Sequence, residues 1–234
     1  MNILITGASR GIGAAAYALL KKHEHNVVGH STRGSDELVA GDLTDPTAPR
    51  NIWDTALAEL DGRIDVLVNN AGIYEAIADN ATDEEWHRAW TRTMTINLQA
   101  AADLSRLAVS HFLDRGGGGR IINIASRAAY RGDSPQHWHY AASKAALVGM
   151  SKTIARGYAG EGILCFGVAP GFTVSEMTAE YLQGRGGAQI VADIPLGRVA
   201  STDEVAEVIR WLATEAPASA TGSVVDVNGA SYVR

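Results

Sequence analysis

A short apolar run, Ile3-Leu4-Ile5, passes directly into Thr6-Gly7-Ala8-Ser9-Arg10-Gly11-Ile12-Gly13, and an alanine-rich segment follows to about Lys22. Strand, glycine turn and helix in that order constrain the chain more than any other stretch. Glycines let the backbone approach a ligand closely, and a helix N-terminus offers free N–H groups and the positive end of a dipole. This is the context of a dinucleotide phosphate site, although the spacing is G-x-x-x-G-x-G rather than G-x-G-x-x-G. Thr6, Gly7, Ser9, Arg10, Gly11, Ile12 and Gly13 are the candidate contacts.

The pattern then repeats along the chain. Asn26 to Ser31 reads as a second strand. An acidic residue after it would grip the ribose 2′-hydroxyl of NAD. Ser31, Thr32 and Arg33 stand there instead, and Arg10 lies in the glycine turn. Guanidinium groups pair well with phosphate, so this end predicts NADP(H), with NAD(H) as the alternative because Asp36 and Glu37 lie a little further on. Leu38 to Leu43 reads as the third strand, ending at Asp42-Leu43. Too little chain separates it from Ser31 for a crossover helix, since a parallel crossover needs a dozen or more residues. An extended connection and a thinly covered sheet flank are expected. Asp45 as N-cap and Pro46 at the first helical position predict a helix to about Leu60.

Ile64 to Val68 is the fourth strand, ending in Asn69-Asn70-Ala71-Gly72, where ligands bind in open α/β sheets. Thr82 to Glu85 predicts a capping box, and Trp86, Trp90 and Met94 then form an i, i+4, i+8 stripe expected to face the core. Asn97 is a polar amide in an apolar helical run and needs a partner. A further helix runs to about Arg115, and Ile121 to Ser126 forms the fifth strand. Arg127 to His139 shows no periodicity, and His137 and His139, close to Tyr140, read as exposed loop histidines, with a place in the lining of a substrate pocket as the alternative for each. Ile163 to Val168 is the sixth strand, followed by Ala169-Pro170-Gly171-Phe172. A glycine-broken segment over about 173–195 reads as a lid. A last helix from Thr202 to about Thr214 and a strand from Ser223 to Val227 complete the chain. The alternation predicts an α/β fold: a Rossmann-type doubly wound parallel sheet of about seven strands with helices on both faces. No linker or repeat divides it, so residues 1–234 are expected to form a single dinucleotide-binding domain.

Composition excludes some partners. The net charge of −6 argues against nucleic acid. No apolar run approaches the ~20 residues that cross a membrane. The sequence opens on a strand with no room for a signal peptide, so a cytoplasmic location is expected. The lone Cys165 lies in an apolar strand and reads as a buried, inert thiol.

Chemistry concentrates in Tyr140-Ala141-Ala142-Ser143-Lys144. On a helix, i and i+4 share a face, so the lysine charge is expected to approach the phenol oxygen and favour its ionised form. A free tyrosine titrates near pH ~10 and needs such help to exchange protons near neutrality.

Taken together, these motifs resemble the short-chain dehydrogenase/reductase family over essentially the whole chain. Thr6-Gly7-x-x-x-Gly11-Ile12-Gly13 is similar to its cofactor turn, Asp42-Leu43 to its adenine-pocket pair, and Asn69-Asn70-Ala71-Gly72 to its N-N-A-G motif. Asn97, Ser126, Tyr140 and Lys144 match its catalytic tetrad, and Pro170-Gly171 with Thr173 and Ser175 its nicotinamide-side contacts. The resemblance implies that Tyr140 exchanges a proton with a carbonyl or alcohol oxygen and that Lys144 lowers its pKa and holds the nicotinamide ribose. It also implies that Ser126 bonds the substrate oxygen and that Asn97 holds a relay water. A homotetramer or homodimer built through the Tyr140 helix and its predecessor, and through the last helix and strand, is implied in the same way.

The tail from Ala192 to Gly229 is most similar to the 3-oxoacyl-carrier-protein reductase branch. Glu161 and Gly117 stand near positions where that branch carries arginines for docking a carrier protein, and Arg127 and Arg131 are the candidate substitutes. The expected activity is NADP(H)-linked interconversion of a small-molecule carbonyl and its secondary alcohol. The alternatives are a 3-oxoacyl-carrier-protein reductase and a cofactor-binding regulator that no longer catalyses.

Overall fold

The computed structural model describes residues 1–173 and 187–234. Its strands are β1 (Asn2–Ile5), β2 (Asn26–Ser31), β3 (Leu38–Ala40), β4 (Val66–Asn69), β5 (Gly119–Ile124), β6 (Ile163–Pro170) and β7 (Val224–Val227). They form one seven-stranded sheet in the order β3-β2-β1-β4-β5-β6-β7, with every pairing parallel. β1 pairs with both β2 and β4, so the winding reverses beside the glycine turn. Ligands bind at such a switch point.

The strands read as near-continuous apolar runs because helices cover both faces. Side chains alternate between two cores. Leu4, Leu67, Ile121 and Cys165 face one core, with Ile52 and Trp53 of α2 (Ala48–Glu59) and Leu104, Ala108 and Phe112 of α4 (Ala100–Asp114). Ile3, Ile5, Val68, Ile122 and Phe166 face the other, with Ala16 and Leu20 of α1 (Gly11–Lys22) and Val205, Ile209 and Leu212 of α8 (Thr202–Thr214). Cys165 is fully buried and makes no disulfide.

Between β2 and β3 there is no helix. The chain turns at Gly34, whose N–H donates to Ser31 Oγ at 3.1 Å, and Ser35 bridges back to Leu38. Other boundaries differ from expectation. β3 stops at Ala40, so Asp42 and Leu43 lie beyond it. α2 begins at Ala48 with Thr47 as its N-cap and Pro49 in its first turn. Asp45 instead closes a turn of its own, with Oδ1 accepting from the Thr47 N–H and hydroxyl at 2.8 Å each. A short polar side chain that bonds two residues ahead competes with helix initiation there.

The capping box at Thr82 and Glu85 opens α3 (Asp83–Met94) as predicted. The Trp86, Trp90, Met94 stripe is not core, however. All three are half-buried, and Thr93 is the buried residue of that helix. Trp86 stacks on Trp90 at 5.8 Å and meets Trp138 edge-on at 5.4 Å, so the stripe packs along a neighbouring helix. That neighbour is α6 (Trp138–Tyr158). The aperiodic stretch before it contains a helical turn, α5 (Ala128–Arg131), and a 3-10 turn, Pro135–His137. Most of the expected lid, with Ser175, lies outside the described residues; its far end is α7 (Gly187–Ala192). No helix among the described residues is long and apolar enough to cross a membrane.

Candidate active site

A cavity of about 960 Å³ runs across the carboxyl ends of the strands, from the glycine turn to Tyr140 and Lys144. At one end Gly7 and Gly11 have φ of 69° and 58°. A Cβ on Gly13 would sit 2.1 Å from Gly7 O, so only glycine lets α1 start this close to the turn. Arg10 occupies the N-cap position without a side-chain cap, and the first turn of α1 carries no acidic residue. Its free N–H groups and positive dipole end therefore face the cavity unneutralised by the helix itself.

Two turns are stitched together here. Thr6 Oγ1 accepts from the N–H of Asn70 at 3.1 Å and of Ala71 at 3.0 Å, while Asn70 Nδ2 donates to Thr6 O and Gly7 O at 3.0 Å each. Asn69 turns away from the cavity. Its Nδ2 donates to Ala101 O at 3.3 Å, Ser105 Oγ at 3.0 Å and Asn123 Oδ1 at 2.8 Å, tying β4 to α4 and β5. Thr6, Gly13 and Asn69 thus shape the cavity without lining it, whereas Gly7, Ser9, Arg10, Gly11, Ile12, Ala71 and Gly72 line it directly.

His30 is a site residue that sequence reasoning missed. It is buried, accepts from Gly7 N–H through Nδ1 at 3.4 Å and faces Gly41 O through Nε2 at 2.8 Å. An acceptor at Nδ1 requires the Nε2–H tautomer, and burial lowers its pKa, which keeps the ring neutral. Its position at the end of β2 was the available signal. Ser31, Thr32, Asp42 and Leu43 line the same end. Asp42 is held ionised, its Oδ1 accepting from Thr44 N–H at 3.0 Å and from the Thr44 hydroxyl at 2.8 Å. Arg33 is exposed and does not line the cavity; Arg10 does. A glycine cradle, an uncapped helix start and Arg10 together fit the pyrophosphate and phosphate groups of a dinucleotide.

At the other end, Ser126 follows β5 and Tyr140 and Lys144 rise from the first turns of α6. Tyr140 is hydrogen-bonded to Ser126, yet burial outweighs that bond and pushes the phenol up to about 12. Lys144 is 5 % exposed, donates through Nζ to Ile124 O at 2.8 Å and lies 5.8 Å from the centre of the Tyr140 ring. Burial pulls it down to about 8. The expected lowering of the tyrosine by the lysine is therefore not what governs this pair. The ammonium is aimed at a backbone carbonyl and sits over the ring, and loss of water dominates both groups.

Asn97 lies in a π-helical turn, Thr95–Gln99, between α3 and α4. Such a turn inserts a residue and redirects a side chain. Asn97 Oδ1 accepts from Ile73 N–H at 2.8 Å, and Nδ2 donates to Ile73 O at 3.0 Å and to Ser143 Oγ at 3.2 Å. A Cβ on Gly72 would lie 3.3 Å from Asn97 Oδ1 and 3.4 Å from Lys144 Nζ, so the amide and the ammonium flank this glycine. Pro170, Gly171 and Thr173 line the opposite wall.

Comparisons with known proteins agree with this geometry. The family described as enoyl-(acyl carrier protein) reductase matches residues 7–230. The 3-oxoacyl-[acyl-carrier-protein] reductase FabG of Escherichia coli is 37% identical, over 98% of this chain and 96% of its own. The chain belongs to the short-chain dehydrogenase/reductase family. An acetoacetyl-CoA reductase of Rhizobium meliloti is 33% identical, over 98% of this chain and 97% of its own. Among solved structures, a short chain dehydrogenase from Burkholderia cenocepacia in complex with NADP is similar with a TM-score of 0.88 and 28% identity, covering 98% of this chain and 97% of that one.

The remaining wall of this short-chain dehydrogenase/reductase cavity comes from the stretch that lacked periodicity. His137 and His139 are buried rather than exposed, at 1% and 0% exposure. His137 stacks on Tyr74 at 3.9 Å, and its Nδ1 lies 2.7 Å from Ser134 Oγ. Tyr74 in turn meets the Tyr140 ring edge-on at 4.8 Å and donates to Asp133 Oδ1 at 3.0 Å. Arg127 and Arg131, considered above for carrier docking, line the cavity itself with Phe172, Gln189 and Asp193. Arg127 is buried there, its N–H donating to Pro170 O at 2.9 Å at the end of β6, whereas Arg131 is exposed.

Proposed function

We propose that this chain is an NADP(H)-dependent oxidoreductase that transfers a hydride between nicotinamide and a small-molecule carbonyl or secondary-alcohol substrate. The carrying observation is a single cavity with a phosphate-fitting glycine cradle at one end and Ser126, Tyr140 and Lys144 at the other. Gly7, Ser9, Arg10, Gly11 and Ile12 hold the phosphates; Ser31, Thr32, Asp42, Leu43, Ala71 and Gly72 surround the adenosine; Pro170, Gly171 and Thr173 hold the nicotinamide side. The bound nicotinamide supplies the hydride, which no side chain carries. NADP is named for the Burkholderia relative, and Arg10, which lines the cavity, supports a 2′-phosphate here more than Arg33, which does not line it.

Tyr140 is the acid/base, Ser126 orients the substrate oxygen, and Lys144 supplies positive charge beside both. Asn97 fixes the Ile73 backbone and keeps Gly72 against Lys144; a water held there for proton relay belongs to the same proposal. A phenol held at about 12 stays protonated near neutrality, which suits it to donate a proton in the direction of carbonyl reduction. Tyr140→Phe is expected to abolish turnover of a ketone and aldehyde panel while NADPH still binds by fluorescence titration. Normal turnover in that variant sinks the role, and a regulator without catalysis is the reading left if the wild type binds NADPH but turns over nothing. Tighter binding of NADH than NADPH would overturn the cofactor assignment.

The second reading, a 3-oxoacyl-carrier-protein reductase, is favoured by the name of the Escherichia coli relative. Assay with 3-oxoacyl thioesters of a carrier protein against free ketones separates the two. A homotetramer or homodimer in the cytoplasm completes the proposal. Trp138, 61% exposed beside the half-buried Trp86, marks the α3–α6 face for such contact, which light scattering would test.

A further inference from the structure

Arg127 is buried to 9% exposure, directly follows Ser126 and lines the reaction end of the cavity. Its Nη1 is buried without a hydrogen-bond partner among the described residues. Its guanidinium lies over the Phe172 ring at 4.9 Å, and its nearest ion-pair partner is Asp193 Oδ2 at 4.0 Å, beyond hydrogen-bond reach. That same oxygen is already held by Arg131 at 2.8 Å, so one carboxylate is shared between two guanidinium groups. Asp133 stands on the same wall, but its Oδ1 accepts from the Tyr74 hydroxyl and from Ser134 N–H at 2.7 Å. A buried guanidinium short of hydrogen bonds is costly, and burial is the main influence on Arg127. The missing partner is an anion. The phosphate-fitting cradle lies at the opposite end of the cavity, so a cofactor phosphate is not that anion.

We propose that Arg127 selects a substrate bearing a carboxylate close to its reacting carbonyl, that is, a free oxo acid or hydroxy acid rather than a neutral ketone or a thioester. Arg127 is a specificity-determining residue, and Arg131 is its second donor. Asp193 is the internal counter-ion that the substrate carboxylate displaces from Arg127. Asp193 suits that part because its side chain is 54% exposed and free to turn outward, whereas the Arg127 side chain is held at 11%. A planar guanidinium pairs bidentately with a carboxylate, which fixes the distance between the acid group and the carbonyl at Ser126 and Tyr140.

The assignment rests on carbonyl reduction as proposed above, and the test separates the two. The probes are 2-oxo, 3-oxo and 4-oxo acids of about four to eight carbons, each paired with its methyl ester, assayed with NADPH for kcat/KM. The wild type is expected to prefer acid over ester by about tenfold or more, the scale of one hydrogen bond to a charged group. Arg127→Gln is expected to erase that ratio through KM for the acid. Asp193→Asn, an exposed change that spares the fold, is expected to move the ratio the other way by removing the competing carboxylate. Esters reduced as well as acids in the wild type, or an unchanged ratio in Asp193→Asn, overturn the selection by Arg127 while leaving carbonyl reduction intact. Failure of every probe with NADPH and with NADH overturns both.

Discussion

Replacing Lys144 with methionine tests the electrostatics of the site apart from any substrate. Lys144 falls from an ordinary 10.5 to about 8, and burial is the cause. Each unit is worth about 1.4 kcal/mol, so the charged form carries a penalty of about 3 kcal/mol. The folded-state pKa lies below the unfolded one, so the folded state binds fewer protons between about 8 and 10.5. Stability therefore rises with pH across that window, and the penalty is present in full below it. Tyr140 is shifted the other way, from 10.0 to about 12, and begins to lower stability only above 10.0. Urea unfolding followed by tryptophan fluorescence at about pH 7 and about pH 9.5, compared between variant and wild type, isolates the lysine, because the buried Cys165, raised from 9.0 to about 12, lowers the stability of both alike. Lys144→Met is expected to gain stability relative to the wild type at the lower pH. That gap is expected to shrink by about 2 kcal/mol at the higher pH, with turnover lost throughout. The variant leaves Ile124 O without its donor, a cost of about 1 kcal/mol that does not vary with pH, so the change in the gap is the measurement that counts. Wild-type and variant stability curves that run parallel across this range would refute the buried-charge account.

Two further perturbations address the cofactor end. Gly13→Ala places a methyl group 2.1 Å from Gly7 O and 2.4 Å from Asn70 Nδ2. It is expected to cost about 3 kcal/mol by chemical denaturation and to abolish NADPH binding, and unchanged binding would show that the glycine turn is not the cradle. His30 titrates below its ordinary 6.5, so the unfolded chain takes up the proton first as pH falls through that value; stability is lost from there down to the folded-state pKa, and above 6.5 this group adds no pH dependence. Protonated Nδ1 no longer accepts from Gly7 N–H, so NADPH affinity of the wild type is expected to fall from about pH 7.5 to about pH 5.5 more steeply than that of His30→Gln. Equal slopes for the two proteins would remove His30 from the cradle.

Much of the fold was legible because it depends on local chemistry and chain length. Asn26 to Ser31 is a strand at the bounds its apolar run suggested, and the absent helix after it follows from the few residues before Leu38. The capping box at Thr82 is written in Thr82 and Glu85 themselves. Asp45 was misread because aspartate suits both an N-cap and a turn, and nothing local decides between them. Trp86 and Trp90 were misread because period shows that a helix has an apolar face, while only the tertiary fold shows that this face meets α6 rather than the sheet.

The site divides along the same line. Gly7, Ser126, Tyr140 and Lys144 stand at strand ends and on a helix face, where spacing alone implies convergence. The substrate wall has no such pattern. His137 is buried because Tyr74, far away in sequence, stacks on it, and Arg127 is buried because its N–H is tied to Pro170 O and its guanidinium lies over Phe172. Read without that packing, these polar residues look like a solvated loop. A solvated arginine satisfies itself with water and selects nothing. An enclosed arginine without a full set of acceptors must find them in whatever enters the cavity. The Arg127→Gln and Asp193→Asn pair makes this difference measurable, since opposite changes in the acid-to-ester ratio follow only if the guanidinium faces the substrate.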